Sequence, residues 1–285
     1  GMILNSWAFR KIVILGVGFM GGSLGLAIKK NRLAKEVVGV SQKQSTLLDA
    51  IKIKAIDTGL TEIPPAVNNA DLVVLCTPVE SIRKLLPVIA PHLKRGCIVT
   101  DMGSTKSDIV EEAEKTFPSS VFFVGSHPMV GSEKKGVDFA KESLFENAVC
   151  FMTPNKKTHH HAQERVSLLW SKLGMKIKYL TPEDHDKILA YVSHTPHVMA
   201  FGLMDIIPKE FLEYASTGLK DTTRIASSSP QMWNDICLAN SKNVVNVLDE
   251  LVKKLSELRK AIVDHDQNSL MDYFAKTKEK RDALL

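Results

Sequence analysis

No apolar run in this chain reaches the roughly 20 residues that span a membrane, so no helical membrane anchor is expected within it. The N-terminus has no signal-peptide pattern, and Gly1-Met2 reads as a short remnant ahead of the native start. Cysteine is scarce. Cys76, Cys97, Cys150 and Cys237 lie far apart and form none of the paired spacings of a metal site. Three of them fall in or beside apolar runs, which predicts buried free thiols and a reducing, cytoplasmic setting. Aromatic residues make up only 6% of the chain and do not interleave with basic ones, which argues against nucleic acid as a partner. The net charge is +5, with one dense basic patch at Lys276, Lys278, Lys280 and Arg281. That patch reads as a solvated helix end, and the mild overall basicity suits anionic ligands such as carboxylates and phosphates.

What is present suffices for a core. With 285 residues, 44% of them hydrophobic, the chain holds one large domain or two ordinary ones. The stretch that organises it runs from 9 to 25. Ile12-Val13-Ile14-Leu15 leads into Gly16-x-Gly18-x-x-Gly21-Gly22, and an apolar segment follows from 23 to 28. This predicts strand, tight turn and helix, with backbone N–H groups and the positive end of the helix set against a pyrophosphate. Gly16 allows the turn, Gly18 lets the backbone approach the phosphates, and Gly21 lets helix and strand pack closely. Phe19 and Met20 lie in the same cofactor-binding loop. A glycine-rich turn without a ligand would not explain these offsets.

A second strand is expected over 37–40. At its end an NAD site usually places Asp or Glu against the ribose 2′-hydroxyl. Here Ser41-Gln42-Lys43 stands instead. No acid repels a 2′-phosphate, and Ser41 and Lys43 can donate to one. The reading favours NADP, with NAD possible; the alternative is that Lys43 points into solvent.

Further strands are expected over 71–76, 96–102 and 121–124. The first ends in Thr77-Pro78, with a helix starting at Val79. The second ends in Gly103-Ser104-Thr105-Lys106, followed by a helix through 115. The third runs into a turn over 125–131. This alternation predicts an α/β, Rossmann-type, doubly wound parallel sheet. Ligands then lie at the carboxyl ends of the strands. The turns after Leu15, Cys76, Asp101 and Val124 should line one crevice, so Thr77 and Pro78 join the cofactor set. Two more strands, over 148–152 and 176–180, flank a helix over about 159–173. His159-His160-His161 lies there, but consecutive residues on a helix share no face, and no metal is expected.

After Thr181-Pro182 strand-like runs stop and helical patterns continue to the end. The expected division is a dinucleotide-binding domain over 1–181 and an all-α domain over 182–285. Thr181 reads as an N-cap with acids in the first turn. Val244, Leu248, Leu251, Leu255, Leu258 and Ile262 form an apolar stripe that suits a partner helix. It is covered either by folding back or across a homodimer.

His127 sits at the end of a strand on the crevice side, flanked by Pro128. A histidine there can take a proton from a substrate hydroxyl while hydride leaves the same carbon; the alternative is a loop histidine without a role. His194 and His197 share roughly one helical face. Each is either a donor to a carboxylate or a satisfied core histidine. Arg224 offers a planar fork matching a carboxylate, or is a surface arginine.

Taken together, these motifs resemble the prephenate/arogenate dehydrogenase family, the oxidative step of tyrosine biosynthesis. The resemblance rests on Gly16-Val-Gly18-Phe-Met-Gly21-Gly22-Ser23, Asp101-Met-Gly-Ser104-Thr-Lys106 and Gly125-Ser-His127-Pro-Met-Val-Gly131. It continues through Asp184-His-Asp186, Ser193-His-Thr-Pro-His197 and Lys220-Asp221-Thr-Thr-Arg224, across nearly the whole chain. It implies a Rossmann-type domain followed by a helical dimerisation domain. It also implies His127 as the catalytic base toward the ring hydroxyl, and Ser104 as a hydrogen-bonding partner near that hydroxyl and the nicotinamide. Arg224 would hold a substrate carboxylate, His197 would position the substrate, and Trp233 would stand near the entrance. His194 adds to an anion-friendly pocket. The Ser41-Gln42-Lys43 stretch resembles NADP-preferring members. No fused mutase or regulatory domain is expected. Two other readings compete. A β-hydroxyacid dehydrogenase or imine reductase would usually depend on a lysine in the helical part. A non-catalytic NADP-binding regulator would not need His127, Ser104 and Arg224 together.

Overall fold

Ile12 and Ile14 pack under one face of a central sheet, and Val13 and Leu15 under the other. The central strands of such a sheet are buried on both sides, which is why they read as continuous apolar runs. The computed structural model describes residues 7–131 and 135–284; Gly1 and Met2 lie outside the described residues. The first part of the chain forms β1 (Phe9–Leu15), α1 (Phe19–Lys30), β2 (Ala34–Val40), α2 (Gln44–Lys52), β3 (Thr58–Leu60) and α3 (Ile63–Val67). It continues through β4 (Leu72–Leu75), α4 (Val79–Ile89), β5 (Ile98–Asp101), α5 (Ser107–Thr116) and β6 (Phe122–Val124). These six strands form one sheet in the order β3-β2-β1-β4-β5-β6, and every neighbouring pair is parallel. The order reverses between β1 and β4, and the crevice at such a point is where open α/β sheets bind ligands.

Leu24, Ala27 and Ile28 of α1 cover the first face. Ile82 and Leu86 of α4 and Ile109 and Ala113 of α5 cover the second. The glycine turn has the expected geometry. Gly16 has φ +97°, and a Cβ on Gly21 would lie 2.0 Å from the Gly16 carbonyl oxygen, so α1 sits directly on the turn.

The stretch 125–131, expected to be a turn, contains a strand. Ser126–Pro128 is β7, antiparallel to β8 (Val149–Met152), which in turn pairs parallel with β9 (Lys176–Tyr179). The backbone here is buried and needs partners. Thr153 N–H donates to the Gly125 carbonyl at 3.0 Å, and Met129 N–H donates to Val149 at 2.7 Å. The strands expected over 148–152 and 176–180 therefore belong to this second, three-stranded sheet. α6 (His160–Lys172) joins them and buries Val166, Leu169 and Trp170 in the first core. His159 caps α6 by accepting from Ala162 N–H and stacks on Phe122 at 3.9 Å, while His160 faces Glu164 at 2.9 Å.

After β9 the described residues contain no further strand. Thr181 Oγ1 accepts from Asp184 N–H at 3.0 Å and starts α7 (Pro182–Leu189), which passes through a single π-type turn (Ala190–His194) into α8 (Thr195–Asp205). α9 (Thr217–Thr223) and α10 (Pro230–Ala239) follow. Trp233 and Ile236 of α10 enter the second core. The chain divides into two compact units, Gly1–Asn240 and Ser241–Leu285. The second consists of α11 (Ser241–Val263) and α12 (Gln267–Asp282), the latter capped by Asp266 accepting from Ser269 N–H. α11 carries the whole apolar stripe, and Leu255 and Ile262 on it are 53% and 58% exposed. Among the described residues no helix is long and apolar enough to cross a membrane.

Candidate active site

The carboxyl ends of β1, β4 and β5 stand side by side: Leu15 is in register with Leu75, and Leu75 with Asp101. The turns after them therefore converge. A Cβ on Gly16 would meet the Thr77 methyl at 2.8 Å, whereas one on Gly18 would meet nothing within 4 Å. The open space beside Gly18 and the buried Thr77 Oγ1, without a hydrogen-bond partner among the described residues, fit a phosphate-bearing ligand drawn close to the backbone. Phe19 is buried and Met20 half-buried in the first turn of α1, and Pro78 stands immediately before α4. Ser41 follows β2 and is half-buried, with its Oγ accepting from Lys43 N–H at 3.3 Å. The Lys43 side chain is exposed.

β5 and β7 bring the chemistry to the same edge. His127 on β7 is only 7% exposed. Its Nδ1 lies 2.8 Å from His185 Nε2, and His185 Nδ1 lies 2.8 Å from Asp186 Oδ1. Asp186 also accepts the first backbone N–H groups of α5, from Lys106 at 2.8 Å and Ser107 at 3.0 Å. Burial holds His127 well below its ordinary pKa, with His185, Lys106 and His194 adding to the effect, so the ring is neutral near pH 7. Burial lowers His185 too, against the opposing pull of Asp186. Burial pushes the Asp186 carboxyl upward, but hydrogen bonds from His185 and the α5 backbone outweigh it and leave the group below the usual range.

Beneath this chain lies a fully buried ion pair between Lys106 and Asp101. Lys106 Nζ also donates to the Ser126 carbonyl at 2.7 Å. Asp101 accepts from Ser126 N–H at 3.1 Å and Gly103 N–H at 3.0 Å. Thr100 and Trp170 Nε1 hold Ser126 Oγ at 2.8 and 3.0 Å. β7 is thus fastened to the end of β5 through Ser126, the residue before His127.

The helical residues complete the cluster. His194, fully buried at the end of the π-type turn, lies close enough to the Ser104 backbone to feel it; burial lowers its pKa to about 4. Its Nδ1 lies 3.0 Å from Asn240 Nδ2, and its Nε2 meets no partner at hydrogen-bonding geometry among the described residues. His197 stacks on Trp233 at 3.8 Å, with its Nδ1–H donating to the Ser193 carbonyl at 2.7 Å. Trp233 Nε1 is buried and has no hydrogen-bond partner among the described residues. Burial, followed by the Arg224 charge, lowers His197, and Arg224 itself is exposed. His127, Ser104, His194, His197, Trp233 and Arg224 therefore form one neighbourhood.

The model of "Prephenate dehydrogenase, nucleotide-binding domain" matches residues 24–179, and that of "Prephenate dehydrogenase, dimerization domain" matches residues 181–276. The chain belongs to the prephenate dehydrogenase family. Prephenate dehydrogenase of Bacillus subtilis is 36% identical over 96% of this chain and 76% of its own length. Cyclohexadienyl dehydrogenase of Zymomonas mobilis is 31% identical over 97% of this chain and 96% of its own. The crystal structure of prephenate dehydrogenase from A. aeolicus, in complex with hydroxyphenyl propionate and NAD+, superposes with a TM-score of 0.91 at 32% identity and covers all of both chains. The family's reaction is the oxidative decarboxylation of prephenate or arogenate in tyrosine biosynthesis, with hydride passing to a nicotinamide cofactor, and this chain is an oxidoreductase of that kind.

Sequence reasoning assembled most of this site but missed its supports. Lys106 and Ser126 fall within quoted motifs without a role assigned to them, and Trp170 and Asn240 carry no motif of their own. An acid at a strand end, Asp101, with Lys106 in the following turn is a signal from which the ion pair could have been expected.

Proposed function

We propose that His127 is the general base of this oxidative decarboxylation and that the chain prefers NADP and prephenate. One observation supports the base most strongly: a buried histidine, neutral near pH 7, beside the edge where the nucleotide-binding turns converge. A neutral imidazole can accept the ring hydroxyl proton. A nicotinamide held by the glycine turn would supply the acceptor for the hydrogen and electron pair of the hydroxyl-bearing carbon. The ring carboxylate then leaves as CO2, its bonding electrons enter the ring, and aromatisation drives the step. The protein's own task is orientation and proton acceptance. Ser104 steadies the hydroxyl, and Arg224, with His194 and His197, receives carboxylate. The unpartnered His194 Nε2 supports that role, as does the exposed guanidinium of Arg224 beside His197. Trp233 backs His197 by stacking.

NADP is favoured because Ser41 and Lys43 follow β2 where an acid would select NAD, although the A. aeolicus relative was solved with NAD+. Gly16, Gly18, Phe19, Met20 and Gly21 would cradle the pyrophosphate, with Thr77 and Pro78 opposite. Prephenate is favoured over arogenate because the histidines and Arg224 make an anion-friendly pocket. A homodimer through the helical part would cover the stripe on α11, where Leu255 and Ile262 are exposed.

The test is reduced-nicotinamide absorbance with prephenate or arogenate and NAD+ or NADP+, in all four combinations, for the parent and Lys43→Ala. The expected ranking places prephenate with NADP+ first, and Lys43→Ala erodes the NADP+ preference. A clear lead for NAD+ in the parent would refute the cofactor assignment. Silence in all four mixtures would refute the catalytic reading. Equilibrium sedimentation checks the dimer.

A further inference from the structure

We propose that Asp186 sets the hydrogen-bond polarity of the site. Through His185 its carboxylate makes His127 a bare acceptor at Nε2, and through Asn240 its backbone carbonyl makes His194 a donor at Nε2. His185, Asp186 and Asn240 are then positioning residues. The inference rests on the reading of His127 as the base.

Backbone N–H groups can only donate, and the two that meet Asp186, from Lys106 and Ser107, orient both of its oxygens as acceptors. His185 Nδ1, 2.8 Å from one of those oxygens, therefore carries hydrogen. A neutral imidazole has one ring hydrogen, so His185 Nε2 is an acceptor. His127 Nδ1 lies 2.8 Å from it and must donate, which leaves His127 Nε2 bare. The other tautomer would set two lone pairs face to face at that distance in a buried site, a costly arrangement. The second branch begins at the Asp186 backbone carbonyl, which can only accept. Asn240 Nδ2–H donates to it at 2.8 Å. The same nitrogen faces His194 Nδ1 at 3.0 Å, so that ring nitrogen accepts and the hydrogen of His194 resides on Nε2. That atom is buried near the Ser104 backbone and has no partner at hydrogen-bonding geometry among the described residues. Two neighbouring histidines thus present opposite functions, one taking a proton from a hydroxyl and one donating to an oxygen, and a single residue assigns both.

Histidine 15N NMR of the full chain reads the tautomers directly, with His127→Asn and His194→Asn identifying the two rings. The expected result is hydrogen on Nδ1 of His127 and on Nε2 of His194. Hydrogen on His127 Nε2, or on His194 Nδ1, would overturn the proposal, and this readout needs no turnover. Kinetics give the second arm. His185→Leu removes the acceptor and should lower kcat by at least about 30-fold while KM stays within about threefold. His185→Gln supplies an amide oxygen and an amide N–H in place of the two ring nitrogens and should recover about tenfold of that loss. Asp186→Asn should mix the His127 tautomers. A residue that only stabilises the fold would neither be rescued by an amide nor alter a tautomer. Equal kcat for His185→Leu and the parent, or no gain from glutamine over leucine, would reject the assignment. If His185→Leu fails to fold, the spectrum of the unaltered protein decides. Turnover by His127→Asn would instead overturn the base reading and leave the tautomer result to stand on its own.

Discussion

Acidification should weaken this fold well before its carboxylates titrate, and His194 allows the amount to be worked out. Its ordinary pKa of 6.5 falls to about 4 in the folded chain because burial disfavours the charged ring. A depressed histidine pKa means that, between those two values, the unfolded chain binds more protons than the folded one. Stability from this group is therefore complete above 6.5 and declines as pH falls toward 4. At about pH 5 the linkage relation gives a loss of about 2 kcal/mol from His194 alone, rising to about 3 kcal/mol below its folded pKa. His127 and His185 are lowered as well and act in the same direction. Asp186 and Asp71, held below 3.8, contribute their losses only at still lower pH. Urea unfolding at fixed protein concentration, at about pH 7 and about pH 5, measures the difference, which should move the midpoint by roughly 0.5 M or more. His194→Gln removes the titrating ring and should reduce the loss over that interval by about 2 kcal/mol. Midpoints that coincide at the two pH values, or a variant as acid-sensitive as its parent, would refute the reasoning.

Three further outcomes are expected. His127→Asn should retain the fold and nucleotide binding and lose kcat by about 10²–10⁴-fold, measured by steady-state turnover; an unchanged kcat removes it from the chemistry. Gly18→Ala should leave the melting temperature nearly unchanged, because its Cβ meets nothing within 4 Å, yet weaken nucleotide binding. Gly21→Ala drives a Cβ against the Gly16 carbonyl at 2.0 Å and should destabilise the chain by about 3 kcal/mol or more. Calorimetry with nucleotide titration separates the two. Arg224→Ala should raise KM for substrate while leaving nucleotide affinity within about twofold; unchanged KM and kcat would move the carboxylate contact elsewhere.

Much of the architecture was legible because parallel strands buried on both faces leave long apolar runs, as at Leu72–Leu75, and because Thr181 and Pro78 mark helix starts by local chemistry. What escaped notice depended on distant pairing. β3 has only three residues and β7 carries a glycine before it and a proline within it. Neither has a period to read, and β7 exists because β8, more than twenty residues away, satisfies its backbone. The site followed the same rule. His127 and the glycine turn announce themselves at strand ends, whereas the motif that ends in Lys106 does not show that Asp101 and the Ser126 carbonyl enclose that lysine. Asn240 gains its meaning only from a contact with Asp186, 54 positions earlier.

The π-type turn at Ala190–His194, closed by Thr195 N–H donating to the Ala190 carbonyl five residues back, acts as a vernier between two helices. One surplus residue per turn rotates everything downstream by about 100° relative to an unbroken α-helix. His185 and Asp186 lie before the surplus residue, and His194 and His197 at or after it. The count of residues between them therefore measures an angle as well as a length. Deleting any one residue from this turn would restore a regular helix and swing His197 and its stacking face away from Trp233, a far larger displacement than most substitutions of the same residues would cause.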